Sequence, residues 1–371
     1  MKFDTINPDI YLNKKIEANE SVIERMDRKD FLNWIISLRS NYSDFYTYNL
    51  SKYGWEGEEF FINTYYIDKV ADELYGKGKS IKKFTGKIKN KISPVKNRWY
   101  IKVMIDYIKN YNPDIIFVRE ITGIQSNFWK TYTGNKLIVS RIDSNTPSDW
   151  SVSDYDLIFT SSDVYKSFFE LNKRESYISQ NGFDGRILKE LKSNSKTYDI
   201  TFVGGVVDRY WTNRARCIEF IADKVDFKWW GIKGTNYKKE NPISKSWQGI
   251  TSGIEMFEIY KQSRIVFNDY SEVANKTANN QRMYEAMGVG TLLLTREAEN
   301  IKKQFPDNIF VTFRDEKDCL DKINYYLKNE KEREEIALAG QKFVLENYTY
   351  EKLMKETDTI LRNSYKRKFS K

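Results

Sequence analysis

The feature that most constrains this chain is a rhythm of short apolar runs. DIIFVRE (114–120), KLIVSRID (136–143), YDLIFTS (155–161) and ESYISQNGFD (175–184) recur with helix-length stretches between them. The pattern restarts with YDITFVGGVVDRY (198–210), FKWWG (227–231), RIVFNDY (264–270), TLLLT (291–295) and NIFVTF (308–313). Near-continuous apolar strands are buried on both faces, and strands separated by helical spans pair in parallel. The expectation is an α/β chain with two Rossmann-like domains facing a cleft, where strand C-terminal ends meet.

The polar stretch GRILKELKSNSKT (185–197) parts the two series. It sets an N-terminal domain over 1–185 and a C-terminal domain over 186–345. The last residues, 346–371, form a helix expected to pack back on the N-terminal domain. Two domains also suit a chain of 371 residues, which is too long for one ordinary core. Before the regular rhythm begins, residues 1–30 are polar and helix-permissive. FLNWIISL (31–38) reads as a buried strand, RSNYSD as a loop, FYTYNLSKYG (45–54) as a helix ending at Gly54, and EEFFIN (58–63) as a further strand.

Histidine is absent, which excludes Ser-His-Asp and Cys-His catalysis, His-ligated zinc and any imidazole base. Chemistry must then come from carboxylates, Tyr, Lys, Arg or backbone dipoles. The two cysteines, Cys217 and Cys319, lack metal-ligand spacing and read as reduced core residues. No apolar run approaches the ~18 to 20 residues of a membrane span, and the first residues do not resemble a signal peptide. A cytoplasmic protein is expected, with peripheral attachment at the inner face of the membrane as an option.

That option comes from charge. Lys and Arg outnumber Asp and Glu by 61 to 52, a formal +9 that favours anionic partners. The segment 77–102 holds ten Lys or Arg and no acid. It reads either as a solvated basic insertion or as a contact for an anionic membrane or phosphorylated acceptor. It contains no nucleic-acid recognition motif, and no nucleic-acid partner is expected.

The densest candidate site lies in NNQRMYEAMGVGTLLLTREAENIKKQF (279–305). After RIVFNDY comes a polar loop that includes Asn275, then a helix beginning near Gln281. A helix start at a strand end presents free N–H groups and about half a positive charge of dipole to an anion. Arg282 and Glu285 share one helix face: the cation suits phosphates, and the acid can accept two hydrogen bonds from a vicinal diol such as ribose. Asn279 and Asn280 either bond phosphate or sugar or serve as turn residues. Gly288 and Gly290 end the helix in a tight turn, so Glu285 also reads as an ordinary solvated helix residue.

From about 155 to 361 the chain resembles the glycosyl transferases group 1 domain of the spore-maturation CgeB-like family. The resemblance runs through YDLIFTSSDVYKSFFE, YISQNGFD, YDITFVGG, RMYEAMGVGTLLLTREAENIKKQF and GQKFVLENYTYEKLM, in order and at matching spacing. It implies the GT-B fold and a metal-independent glycosyltransferase that uses a nucleotide diphosphate sugar, such as a UDP-sugar, with no cofactor. Its acceptor would be a glycan, a lipid-linked precursor or another hydroxyl. Glu285 would then bind the donor ribose and Arg282 would precede it. Gly204 and Gly205 would form the turn that approaches the phosphates, with Arg209 or Arg214 as the following basic residue. Two departures stand out: Thr277 occupies the position where many retaining members carry a second glutamate, and the closing segment reads NYTY without histidine. An epimerase of the same fold, or a coat or scaffold protein retaining it, is the alternative.

If configuration inverts, a carboxylate must take the proton of the acceptor hydroxyl. Asp143, in the turn RIDSNTP, is the first choice, followed by Asp44 and Glu120; each follows an apolar run, where acids also serve as caps and turn residues. Asp154-Tyr155-Asp156 matches a D-x-D metal signature but precedes its strand, so these residues read as turn and cap, and no metal is expected. Trp229 and Trp230 read as core aromatics, with base contact as the alternative.

Overall fold

The structure is a computed structural model describing residues 2–5, 10–41, 43–62, 64–77, 99–119, 128–143, 151–193, 195–207, 212–270 and 279–370. It divides into two compact units. One comprises Met1–Leu38, Tyr42–Ser179 and Met354–Lys371; the other comprises Arg39–Asn41 and Gln180–Leu353.

The first unit holds a six-stranded parallel sheet in the order β2-β1-β3-β4-β5-β6. Its strands are β1 Lys2–Thr5, β2 Glu59–Ile62, β3 Ile115–Val118, β4 Leu137–Arg141, β5 Leu157–Thr160 and β6 Glu175–Ile178. The strands β2 to β5 are buried at every position, as two covered faces require. β6 is half-buried, as an edge strand should be.

The second unit holds a five-stranded parallel sheet in the order β11-β10-β9-β7-β8. Its strands are β7 Tyr198–Val203, β8 Phe227–Trp230, β9 Ser263–Asn268, β10 Leu292–Arg296 and β11 Val311–Phe313. Ile200 pairs with Ile265 and Ile265 with Leu292, so one apolar row crosses the sheet on one face, while Val266 pairs with Leu293 on the other. Cys217 and Cys319 are buried free thiols within this core.

Two local expectations need correction. FLNWIISL is a helix, Arg28–Ser37, not a strand. The Asp27 side chain caps it by accepting from Asp30 N (2.8 Å), and Phe31, Leu32 and Ile35 are buried at helical spacing, which outweighs the β-branched content of the run. The polar N-terminus, read as helix-permissive throughout, begins instead with β1, which pairs with both β2 and β3 in the sheet interior.

The passage between units also falls earlier than 185, because residues 180–184 belong to the second unit. The Asn181 side chain donates to Asn279 O (2.7 Å), Phe183 N donates to Tyr348 O (2.8 Å), and Tyr350 N donates to Phe183 O (3.1 Å). The chain returns to the first unit at Met354, inside the helix Tyr350–Phe369, rather than at 346. Most of the basic segment 77–102 lies outside the described residues; its last residues open the helix Trp99–Tyr111.

Candidate functional site

In the second unit, the C-terminal ends of β7, β9 and β10 share one edge of the sheet. The helix Gln281–Gly288 starts at this edge. Its N-cap, Asn280, gives no side-chain bond to the first turn, because its amide is spent elsewhere. Asn280 Nδ2 donates to Asn268 Oδ1 (2.8 Å) and Asn268 Nδ2 donates to Asn280 Oδ1 (3.1 Å), with a further bond from Asn268 to Thr295 Oγ1 (3.0 Å). The amide pair ties the helix start to the ends of β9 and β10 and leaves the first-turn N–H groups uncapped by Asn280.

Glu285 lies in the second turn and is only 6% exposed. Burial pushes its carboxyl up to about 7, although the Arg282 charge and a hydrogen bond from Gln281 oppose the shift. A solvated helix residue would not be perturbed in this way, so the solvent-facing reading of Glu285 does not hold. Arg282 donates through Nε to Val203 O at the end of β7, and its guanidinium forms no ion pair among the described residues. Tyr260 is buried beside both groups, and its hydroxyl is pushed upward, chiefly by burial.

The glycines serve close packing. A Cβ on Gly204 would lie 2.4 Å from the Phe202 ring, and one on Gly288 would lie 2.4 Å from the Phe183 ring. Gly290 takes φ +76, which favours glycine, and so turns the chain into β10. Arg214 is buried and bonds backbone: Nη1 donates to Gly205 O (3.0 Å) and Nη2 to Asp269 O (2.6 Å). It thereby clasps the ends of β7 and β9. Arg209, Asn275 and Thr277 lie outside the described residues. Asn279 is tied to Gln180 and Tyr284 by its side chain.

Sequence reasoning missed a buried ion pair at the same edge: Arg296 Nε to Asp269 Oδ2, 2.9 Å. Both residues directly follow or close apolar strand runs, and that position was the available signal. Tyr260 carried no such signal, since it reads as one more apolar residue of the helix Gly253–Lys261. Trp229 is fully buried and donates to Ile243 O (2.8 Å), which makes it a core residue.

In the first unit, Asp143 follows β4 and is committed. Arg141 Nε donates to its Oδ2 (2.6 Å) and Ser161 N to its Oδ1 (2.6 Å). Burial alone would raise this carboxyl, but the Arg141 charge and these hydrogen bonds win and hold it below the usual range. Arg141 also donates to Tyr46 OH (3.0 Å) and Ser179 O (3.1 Å). Asp44 is the N-cap residue of the helix Phe45–Ser51 and accepts from Ser43 Oγ (3.2 Å); the element before its loop is a helix, not a strand. Glu120 lies outside the described residues. Asp154 accepts from Trp129 N (3.0 Å) and Asp156 from Ile138 N (2.8 Å), so both serve the backbone.

Residues 209–358 match the family model described as glycosyl transferase-like. Comparison with curated protein sequences returns no match. Among solved structures, a glycosyltransferase from Rickettsia africae is similar at TM-score 0.52 and 16% identity, over 87% of this chain and 93% of that one. Anabaena Alr3699/HepE, solved with UDP-glucose, is similar at TM-score 0.53 and 11% identity, over 73% and 84%. A variant of S. aureus TarM, solved with fondaparinux, alpha-GlcNAc-glycerol and UDP, is similar at TM-score 0.50 and 13% identity, over 72% and 59%. Together with the two parallel sheets, these likenesses establish the GT-B fold.

Proposed function

We propose that this chain, with a glycosyl transferase-like domain over 209–358 on a GT-B fold, transfers a sugar from a nucleotide diphosphate sugar to a hydroxyl acceptor. The observation that carries the reading is Glu285: a buried carboxyl one turn into a helix that starts at the strand ends, beside an arginine with no ion pair among the described residues. Burying an acid without a pairing cation is costly, and such sites persist where a ligand uses the group. A ribose diol donates two hydrogen bonds to that carboxylate, while the diphosphate meets the helix start and Arg282. UDP is the nucleotide in the structures of Alr3699/HepE and TarM, and a UDP-sugar is the first donor to test.

In the transfer, the anomeric C–O bond to the diphosphate breaks, a bond from the acceptor oxygen forms, and the acceptor proton departs. Charge accumulates on the leaving diphosphate, where Arg282 and the helix dipole stabilise it without a metal or cofactor. Should the reaction invert, Asp143 in its present state is a weak base, because Arg141 and Ser161 hold it ionised. The acceptor remains a glycan, lipid-linked precursor or other hydroxyl, and the basic segment 77–102 would draw the protein to an anionic membrane surface. The comparisons supply no observation that favours an epimerase or a scaffold.

The test is thermal stabilisation by a panel of nucleoside diphosphates and nucleotide sugars, repeated with Glu285→Ala and Arg282→Ala. A UDP-sugar is expected to stabilise the wild type and to lose affinity for both variants. Unchanged donor affinity in both variants overturns the assignment.

A further inference from the structure

The helix Asp163–Leu171 in the first unit lies between β5 and the edge strand β6. Phe169 is fully buried and anchors it, stacking with Tyr165 at 6.5 Å. On the outward side Val164, Phe168 and Leu171 are spaced i, i+4, i+7 and therefore share one face. They are 57%, 44% and 83% exposed. Single exposed apolar residues need no explanation, but three in one stripe on an otherwise satisfied helix do.

Cations stand at the end of that stripe. Leu171 is followed after Asn172 by Lys173 and Arg174. Arg174 Nη1 donates to Ser153 O (3.1 Å), and Lys130 Nζ donates to the same carbonyl, so these two side chains converge. None of Lys130, Lys173 and Arg174 forms an ion pair among the described residues. The acids around them are engaged elsewhere: Glu170 with Lys166, Glu175 with Arg367, Asp156 with Lys368, and Asp154 with the backbone of Trp129. The arrangement is an apolar stripe next to three positive charges without an ion pair among the described residues, of which Lys130 also feels the nearby Asp154 carboxyl.

Two occupants fit an apolar stripe: a second copy of the chain or a bilayer. Covering these three side chains removes on the order of 300 Å² per partner, well short of the roughly 800 Å² per partner of a stable protein interface. A bilayer accepts a narrow stripe, which enters the headgroup boundary while adjacent cations meet anionic lipid headgroups.

We propose that the face formed by Val164, Phe168 and Leu171 with Lys130, Lys173 and Arg174 docks the protein peripherally on an anionic lipid surface. The inference goes beyond the donor reading and does not depend on it.

The experiment is sedimentation of the full chain with phosphatidylglycerol/phosphatidylcholine vesicles and with pure phosphatidylcholine vesicles. Wild type, Phe168→Ser/Leu171→Ser and Lys130→Ser/Lys173→Ser/Arg174→Ser are compared. Wild type should partition onto the anionic vesicles and only weakly onto the neutral ones. The apolar pair should lose partitioning by roughly ten- to hundredfold, and each removed cation should weaken it by roughly fivefold. The ligand-free melting temperature and circular dichroism of both variants should match wild type, which shows that they fold and keeps this test separate from that of the donor site. Wild-type partitioning that both variants retain, as it would if 77–102 alone bound the membrane, overturns the proposal. So does an absence of wild-type partitioning, or a change confined to oligomeric state by light scattering, which would assign the stripe to a second copy.

Discussion

At the C-terminal ends of their sheets the two units treat charge in opposite ways. In the first unit Asp143, Arg141, Tyr46, Ser161 and Ser179 close on one another, and the acid is held ionised and fully engaged. In the second, Glu285 is buried with its carboxyl pushed up to about 7, and neither it nor Arg282 forms an ion pair among the described residues. A self-compensated end is stable without a ligand. An uncompensated one costs stability until a ligand supplies the missing partners, and that difference is what the proposed donor role of the second unit rests on.

The largest expected effect probes the part of the second unit that is compensated. Asp269 is 2% exposed at its side chain and paired to Arg296. Arg296→Met removes the cation paired with that buried acid, and should cost about 3–5 kcal/mol in denaturant unfolding. A loss below about 1 kcal/mol would mean that this edge tolerates unpaired charge generally, and the contrast with Glu285 would lose its meaning.

Next comes the pH dependence of Glu285. Its folded-state value is raised from 4.5 to about 7, so the native state holds the proton more tightly than the unfolded chain. That contribution is fully present below about pH 4.5 and is lost as pH rises through about 7. Glu285→Gln removes the titration. The variant should match wild type near pH 4 and exceed it at pH 8 by on the order of 3 kcal/mol, about 2.5 units at about 1.4 kcal/mol each. Parallel stability curves for the two proteins across that range would contradict the burial argument. UDP-sugar affinity of the wild type should rise over the same interval, since the ionised carboxylate is the form that accepts from a diol.

A smaller loss is expected for Arg282→Ala: donor affinity falling roughly ten- to hundredfold by titration calorimetry, as the loss of a charge-assisted phosphate contact predicts. The cost would come with little change in the ligand-free melting temperature beyond that of its bond to Val203 O and its interactions with Tyr260 and Glu285.

The second sheet, β2 to β6 of the first and the helix Gln281–Gly288 were legible in the sequence because buried parallel strands declare themselves as apolar runs, and R-M-Y-E-A-M-G-V-G carries its own turn chemistry at Gly288 and Gly290; β1, within a polar N-terminus, was not. FLNWIISL misled because a short apolar run does not distinguish strand from buried helix; the deciding signal was the Asp27 cap, three residues before Asp30. Arg209 or Arg214 was what the resemblance implied for the basic residue after the glycine turn; the acceptors of Arg214, Gly205 O and Asp269 O, are backbone atoms that only the fold brings together. Asp269 and Arg296, 27 positions apart, each showed only as a charge at a strand end; adjacent parallel strands create the pair, and no local spacing reports it.

The smallest effect tests the first unit. Asp143 keeps about a third of its side-chain surface exposed, so its pairing with Arg141 is screened and Asp143→Asn should cost only about 1 kcal/mol. Because its carboxyl is held below the usual range, the stability it contributes is present above the ordinary carboxylate value and lost as pH falls through the lowered one. The asparagine variant should therefore lose the acid limb of the stability curve while leaving UDP-sugar affinity unchanged. The informative readout is turnover. If kcat falls by a hundredfold or more with donor affinity and melting temperature nearly intact, Arg141 must release Asp143 during the reaction, and the closed end of the first sheet is a resting state. If kcat holds, the acid belongs to the architecture, and the proton of the acceptor leaves by another route.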